Sequence, residues 1–227
     1  MTDDHISHYL SIASFCAKGP TMKTQATGKA TSIRGPAEHS VRDQIVEAAH
    51  EYFAHYGYTK TTVSDLARQI GFSKAYIYRF FESKQAIGEA ICASCVDGMF
   101  DQVREAVEQG GSATDKLRRF AKTAAAARAE LSSATPRLYE IALHASSENW
   151  APAQAYTERL NQLLSSILKE GRESGEFERK TALDETCRSI FYALLPFIDP
   201  VFLQRSLDLP SDAQAEVTSL ILRSLAP

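Results

Sequence analysis

The chain has 227 residues and a mass of 25.0 kDa, a length that allows one large domain or two modest ones with a real core. Hydrophobic residues make up 44% of it and charged residues 23%, the balance of an ordinary water-soluble protein rather than a membrane or fibrous one. The net charge of -3 neither favours nor excludes nucleic acid as a partner.

Residues 1–21 do not resemble a targeting signal, because Asp3 and Asp4 lie where such a signal is positive. No stretch approaches the length of a membrane span, so we expect a cytoplasmic protein with no membrane partner. Met22 begins a more polar tract and is a second candidate for the start of translation, beside Met1.

Basic residues are concentrated near the beginning of the chain. Residues 22–37 contain three basic residues and no acidic one, whereas residues 91–227 contain 15 basic and 19 acidic residues. A nucleic-acid partner would therefore bind the N-terminal part. Residues 21–36, with Gly28, Gly35 and Pro36, are too polar and too broken to order themselves, which favours a disordered tail; the alternative is a basic arm that follows DNA phosphates or enters the minor groove.

The first long helix is predicted to begin at Ser40, with Asp43 as its capping-box partner, and to end at Gly57. Its apolar residues recur at helical spacing: Val41, Ile45, Ala48, Ala49, Tyr52, Phe53 and Tyr56. His50 and His55 lie five residues apart and cannot share a zinc ion on one face of a helix, so we expect no metal there.

Two shorter helices joined by a tight turn follow. Thr62 is predicted to cap the first, with Asp65 as its box partner, and Gly71 to end it. Ser73 is then predicted to cap a second helix over residues 74–81. The turn is about three residues long, which is the geometry of a helix-turn-helix, whose second helix enters the DNA major groove.

The second of these helices should expose cations beside aromatic rings. Ile77 and Phe81 are spaced to face the core, and the residues left to point outward are Lys74, Tyr76, Tyr78, Arg79 and Phe80. Against DNA such a surface makes sense, because Tyr can bond phosphate or rest on a thymine methyl, and Arg and Lys can reach guanine edges.

From residue 42 to residue 91 the pattern resembles the N-terminal domain of TetR-type (tetracycline-repressor-like) transcriptional regulators, over roughly a fifth of the chain. The features that match are Arg42, Ala48-Ala49, Phe53, Gly57, Thr61-Thr62-Val63, Leu66-Ala67, Gly71-Phe72-Ser73-Lys74, Ile77-Tyr78, Phe81 and Lys84. The resemblance implies a dimer on a palindromic operator in double-stranded DNA. We expect Lys74, Tyr76 and Arg79 at or near the bases, and Arg42, Thr62, Tyr78 and Lys84 at phosphates.

Residues 84–109 are predicted to form a long connecting helix, which Gly88 and Gly98 interrupt. Each glycine marks either a bendable point or, as we favour, the close packing of a neighbour. Within this helix Cys92 and Cys95 form a lone CxxC pair. Without a second such pair, structural cysteines are favoured, and a thiol sensor is the alternative.

Further helices are predicted over residues 115–131, 136–144 and 152–170, the last closed by Gly171 and Gly175. Thr181 with Asp184 should open the next helix, which Pro196 and Pro200 kink or end, and Ser211 with Gln214 the last. No strand pattern competes, so the predicted fold is all-α with about nine helices. We divide it into an N-terminal arm (1–37), a three-helix DNA-binding domain (38–84) and an effector-binding and dimerisation domain (85–227).

The helices after residue 182 are more apolar than a chain terminus needs, so they either cover their own core or also pair with a second copy. The resemblance favours pairing, and it implies a small-molecule effector in the bundle. Candidate effector-contacting residues are Phe120, Tyr139, His144, Trp150, Tyr156 and Tyr192, although core packing explains each of them as well.

No glycine-rich nucleotide loop, nucleophile elbow or set of metal ligands at usable spacing is found, so we expect no enzyme and no cofactor. The sequence therefore predicts a dimeric DNA-binding regulator, a repressor that a small effector releases. The alternative is a protein of the same fold that recruits partners on DNA without any ligand.

Overall fold

A computed structural model describes residues 38–206 and 208–227 of the protein. Throughout this part the regular structure is helical, without a strand, which confirms the predicted all-α class. Ten helices are present, close to the predicted nine: α1 (Glu38–Tyr56), α2 (Val63–Ile70), α3 (Lys74–Ile77), α4 (Lys84–Glu108), α5 (Ala113–Ala134), α6 (Pro136–Ser147), α7 (Ala151–Ser174), α8 (Leu183–Ile198), α9 (Pro200–Arg205) and α10 (Ala213–Ser224). None of these helices has the length and apolarity needed to cross a bilayer. The predicted N-terminal arm lies outside the described residues.

The N-terminal helices pack against one another as part of one continuous hydrophobic core. Helix α1 contacts α2 and α4, and α2 contacts α3. Ile45, Phe53, Leu66, Ile77 and Phe81, which come from all three of these helices and the turn after α3, are buried there. The apolar spacing of each short helix is therefore satisfied only by the other two, since helices of this length are marginal alone.

The remaining helices form a bundle centred on α4, α5 and α7, which contact one another along their lengths. Met99, Phe120 and Leu164 are fully buried between them. Helix α8 lies on α5 and α7, and α10 lies on α5 and α8. Helix α6 contacts α1 as well as α4, α5 and α7, so it joins the N-terminal head to the bundle.

Helix α4 runs without interruption through Gly88. A Cβ atom at Gly88 would lie 3.0 Å from both the Trp150 and the Tyr58 rings. The glycine therefore allows close packing, which is the favoured of the two interpretations. Gly57 ends α1 as predicted, with a φ of 86° that L side chains rarely adopt.

Several predicted helix ends are wrong. Ser40 does not cap α1, because Glu38, the first residue that the structure describes, is already helical. Ala182 and Asp212 occupy the N-cap positions of α8 and α10, so Thr181 and Ser211 do not. Neither N-cap makes a side-chain hydrogen bond to its helix, so burial of the apolar face, and not capping, sets where these helices begin.

Two other predicted ends also differ, whereas α8 ends between Pro196 and Pro200, in agreement with the prediction. Helix α5 extends beyond residues 115–131 in both directions. Its start at Ala113 is fixed by Ser112, which accepts a hydrogen bond from the Asp115 amide. Helix α7 continues past Gly171, which is buried where the Phe177 ring needs the space of a side chain, and ends at Gly175 with a φ of 83°. Helix α8 continues two residues past Pro196, which lies in its last turn, and α9 begins at Pro200.

Candidate nucleic-acid interface and internal cavity

The helix-turn-helix unit, residues 62–81, is fixed at its start by a reciprocal cap. The Asp65 amide donates to Thr62 Oγ1 at 3.2 Å, and the Thr62 amide donates to Asp65 Oδ2 at 3.1 Å. Hydrogen bonds from the Thr62 side chain and backbone hold the pKa of the Asp65 carboxyl below its usual value. The predicted capping box is confirmed, and it sets the angle at which α2 leaves the preceding loop.

The turn between α2 and α3 also forms as predicted. Gly71 has a φ of 79° and its amide donates to the Ala67 carbonyl, which closes α2. The Phe72 amide donates to the same carbonyl at 3.0 Å. Ser73 then accepts the Tyr76 amide at 3.1 Å and caps α3. These backbone and cap bonds, together with the buried Leu66 and Ile77 side chains, hold the two helices in a fixed relation.

Helix α3 is shorter than predicted. Regular α-helix ends at Ile77, because the Arg79 and Phe80 amides bond to carbonyls three residues back, at 3.2 and 2.9 Å. The chain stays coiled up to Phe81, whose amide donates to the Ile77 carbonyl at 3.1 Å. The tighter last turn changes the direction of the side chains that follow Ile77.

The outward face of this turn carries cations supported by rings. Lys74, Tyr78 and Arg79 are exposed, whereas Ile77 and Phe81 are buried as predicted. The Lys74 Nζ lies 5.7 Å from the Tyr78 ring centre, and the Arg79 Cζ lies 5.5 Å from that of Tyr76. Such contacts orient a cation without neutralising it, so the positive charge remains available to a phosphate or a base.

Tyr76 is half-buried rather than fully outward. Its ring stands edge-on between Phe72 and Phe80, with ring centres 5.1 and 5.3 Å away. Arg42, on α1, is exposed and its guanidinium lies 4.6 Å from the centre of the Phe81 ring. Both side chains therefore lie on the surface of the helix-turn-helix unit, where the predicted DNA contacts require them.

Lys84 has partners inside the protein. Its Nζ donates to the carbonyls of Tyr58 and Thr61 at 3.0 and 3.1 Å, and it lies 4.3 Å from the Tyr58 ring centre. Burial lowers the pKa of Lys84 from its ordinary value. The phosphate contact stays a prediction for Lys84, and it competes with these bonds. Thr62 is exposed, and its hydroxyl donates to Asp65 Oδ2 at 2.7 Å.

The junction between the head and the bundle consists of polar and aromatic contacts around α6. Glu140 accepts the Thr59 amide at 3.1 Å and lies against Gly57, where a Cβ atom would come within 3.0 Å of its carboxylate. Trp150 donates to Glu148 at 2.9 Å and its ring centre lies 5.8 Å from that of Tyr58. Helix α6 therefore contacts the loop that carries the carbonyl acceptors of Lys84.

A cavity of about 140 Å³ is bounded by α1, α4, α5, α6, α7, α8 and the first residue of α9. Most of its wall is apolar, and the polar side chains in it include those of His50, Arg128 and Asp199. His50 belongs to α1 of the head, so the head itself contributes to the wall. This combination of apolar walls and few polar groups is typical of small-molecule sites.

Of the six candidate effector-contacting residues, one lines the cavity: Tyr156. Phe120 is packed in the core, and Tyr139 is buried with its hydroxyl donating to the Pro200 carbonyl at 2.8 Å. His144 and Trp150 belong to the junction around α6. Tyr192 lies on the surface with 62% of its area exposed. The core-packing alternative thus describes Phe120 and Tyr139, and Arg128 is a cavity residue that the sequence reasoning missed.

Both residues of the CxxC pair line the cavity, Cys92 buried and Cys95 partly so. Burial raises the pKa of the Cys92 thiol to about 12, which leaves it protonated and a poor nucleophile at neutral pH. This favours the structural interpretation for Cys92. The thiol-sensor alternative remains an untested hypothesis.

The arrangement of the helices is that of a known class of DNA-binding proteins. A capped helix-turn-helix on a three-helix head, joined by a long helix to an all-α bundle, defines a helix-turn-helix DNA-binding protein. Two family models match this chain: "Bacterial regulatory proteins, tetR family" over residues 45–91 and "Tetracyclin repressor-like, C-terminal domain" over residues 113–217. The chain belongs to the TetR family of bacterial regulatory proteins.

Relatives agree with this assignment. The negative transcriptional regulator IcaR of the biofilm operon icaADBC, from Staphylococcus aureus, is 29% identical over 80 residues, which are 35% of this chain and 43% of IcaR. The matched stretch is thus less than half of that relative. Among solved structures, the TetR family regulator PfmR from Thermus thermophilus is 27% identical with a TM-score of 0.52, over 81% of this chain and 99% of PfmR. The fatty acid degradation regulator FadR from Bacillus halodurans shares the fold at 21% identity with a TM-score of 0.61, over 84% of this chain and 97% of FadR.

Proposed function

We propose that the protein is a sequence-specific DNA-binding transcriptional regulator that reads the major groove with the turn from Lys74 to Arg79. The observation that carries this proposal is the exposed set of Lys74, Tyr78 and Arg79 on a one-turn helix that is capped at Ser73 and anchored by buried Ile77. Exposed Lys and Arg side chains that aromatic rings hold in place can contact DNA bases and phosphates.

The regulator acts as a symmetric dimer in this proposal. A single helix-turn-helix contacts only a few base pairs, so useful specificity needs two half-sites one DNA turn apart. Tyr192 on α8 and Leu220 on α10 are 62% and 59% exposed, the two largest exposures among the large hydrophobic side chains of the described residues. Pairing of α8 and α10 with the same helices of a second copy would cover both.

Repression that ends when a small molecule enters the cavity is the proposed mode of regulation. Three helices connect the cavity to the head. His50, Ile91 and Ile141 line the cavity from α1, α4 and α6. Helix α1 is part of the head, and α4 and α6 both contact α1. A ligand that fits one arrangement of these helices better than another shifts the spacing of the two heads. The description of the relative IcaR as a negative regulator supports the sign of the effect.

Fluorescence anisotropy on the duplex upstream of the protein's own coding region tests the proposal, with a salt titration and random DNA as competitor. We expect tight binding that resists the competitor and falls steeply with salt, because several phosphates are neutralised. A regulator of distant genes would instead be recognised by selection of binding sites from genomic DNA. Failure to enrich any sequence in that selection would refute sequence-specific binding.

A further inference from the structure

Arg128 is a charged side chain that is buried in the helical bundle, where removing a charge from water costs free energy. It is 4% exposed and lies between Ala127 and Ala129 on α5, an otherwise alanine-rich helix. Buried arginines are usually paired with an acid, because an unpaired charge away from water is strongly disfavoured. The hydrogen-bond partners of Arg128 therefore show which of its donors remain available to a ligand.

Inside the protein, those partners satisfy only part of the guanidinium group. Its Nε donates to the Ile198 carbonyl at 3.0 Å, and its Cζ lies 5.7 Å from the Tyr156 ring centre. Within residues 38–206 and 208–227 the two terminal amino groups make no hydrogen bond and no ion pair. This is the edge of the group that binds a carboxylate through two parallel hydrogen bonds.

The acid in the cavity wall has other partners. Asp199 accepts the amides of Val201 and Phe202 at 2.9 and 3.1 Å through Oδ1, and the Ser146 hydroxyl at 2.7 Å through Oδ2. Both oxygens are thus used to cap α9 and to tie it to α6. A cationic ligand would have to displace these bonds, whereas an anionic ligand finds unused donors on Arg128.

The rest of the wall and the size of the space define the body of such a ligand. Ile91, Leu131, Leu160 and Phe191 are among the apolar side chains that line the cavity. Its volume of about 140 Å³ is close to that of the engineered cavity, roughly 150 Å³, that holds a benzene molecule. The space therefore suits one ring or a short branched chain.

We propose that the effector is a small carboxylic acid with a compact apolar body, whose carboxylate pairs with the terminal amino groups of Arg128. This inference rests on the proposed function of the cavity as an effector site. Such acids are ionised at neutral pH, and a pair of charge-assisted bonds in a dry site discriminates strongly against a neutral analogue.

Acids and their matched amides give the test on the unaltered protein. Benzoate, phenylacetate and hexanoate are compared with benzamide, phenylacetamide and hexanamide by calorimetric titration at pH 7. We expect at least one acid to bind about tenfold or more tightly than its amide. Equal affinities for acid and amide, or no binding by any of the three acids, would overturn the proposal.

Variants at position 128 locate the effect. Arg128→Met keeps an unbranched apolar stem but removes the guanidinium group and its charge, so the preference for acid over amide should disappear. Arg128→Lys should keep a reduced preference. Arg137→Met is the matched control, because Arg137 is exposed on α6 and does not line the cavity; its preference should equal that of the unaltered protein. A preference that survives in a folded Arg128→Met variant would overturn the assignment.

Release of DNA separates this inference from the function on which it rests. The same six compounds are added to the complex with the DNA selected by the protein. Release by acids alone supports both proposals. An acid that binds tenfold better than its amide but leaves the complex intact supports the ligand class and refutes effector release. Release by amides as effectively as by acids supports effector release and overturns the ligand class.

Discussion

Arg79 and Lys84 lie five residues apart and have opposite surroundings. The guanidinium of Arg79 rests on Tyr76 and is exposed to solvent, whereas the ammonium of Lys84 lies among backbone carbonyls. A cation already bonded inside the protein must give up those bonds to reach DNA, and an exposed one need not. The two residues should therefore respond differently to replacement.

Arg79→Ala should weaken binding to the selected DNA by about 1 to 3 kcal/mol and relax sequence preference, because a base contact carries sequence information. Anisotropy with specific and random duplexes measures both quantities. Arg104→Ala is the control, since Arg104 is exposed on α4 and pairs only with Asp101 within its own helix. Equal losses on specific and random DNA would show that Arg79 contacts phosphate.

Lys84→Ala should lower the thermal stability of the protein, because the Tyr58 and Thr61 carbonyls lose their donor at a cost of about 1 to 3 kcal/mol. Binding to all DNA sequences should weaken alike, since the head becomes less well ordered. Lys60→Ala, an exposed lysine of the same loop, is the matched control. An unchanged melting temperature together with uniformly weaker DNA binding would instead place the Lys84 ammonium on a phosphate.

Helix caps that depend on neighbouring residues could be predicted from the sequence, whereas helix ends that depend on tertiary packing could not. The cap of α2 and its end at Gly71 depend on residues within three or four positions of each other, so the sequence alone contains them. The early end of α3 comes from the tighter backbone bonds of Arg79 and Phe80, which the spacing of apolar residues does not record. The starts of α8 and α10 depend on tertiary packing.

The cavity could not have been predicted from spacing, because its wall comes from seven helices. A lone arginine in an alanine-rich helix resembles a surface residue, so Arg128 gave no signal in the sequence. Phe120 and Trp150 are candidates for the ligand site because aromatic residues are common in such sites. In the structure, Phe120 packs in the core and Trp150 packs against Tyr58 at the junction. Only packing distinguishes these roles, since the residue types are the same.

The N-terminus of α5 is capped from a distant loop, with consequences at low pH. Glu176 accepts the amides of Ala113 and Thr114, each at 3.0 Å. The Thr114 amide, opposed in part by burial, is the main cause that lowers the pKa of Glu176 to about 2, from 4.5. The ionised carboxylate thus contributes its full stabilisation above about pH 4.5 and loses it as the pH falls toward 2.

Glu176→Gln should therefore lower the free energy of unfolding at pH 7, by about 1 kcal/mol as for other helix caps. It should also flatten the dependence of stability on pH between about 4.5 and 2, because the group that takes up a proton on unfolding is gone. Urea unfolding at a series of pH values measures both. Glu173→Gln, on an exposed side chain at the end of α7, should change neither quantity; an equal effect there would refute the capping role.

For the whole molecule, the proposed dimer makes exposed apolar residues on α8 and α10 different from those elsewhere. Leu220→Glu should shift the protein from dimer to monomer, because a carboxylate would be desolvated in the interface. Sedimentation velocity over a concentration series gives the mass. Phe202→Glu is the control, since Phe202 is 47% exposed on α9, outside the proposed interface. Dimers that persist in Leu220→Glu, or monomers at all concentrations of the unaltered protein, would contradict this interface.

His50 connects the DNA-binding head to the cavity. It belongs to the first helix of the head, and it also forms part of the cavity wall. A chimera joined at the start of α4, with the head of one regulator and the bundle of another, would therefore exchange a piece of the chemical sensor along with the operator preference. Such hybrids should inherit their choice of inducer from both parents, and matching residue 50 to the new bundle should restore it.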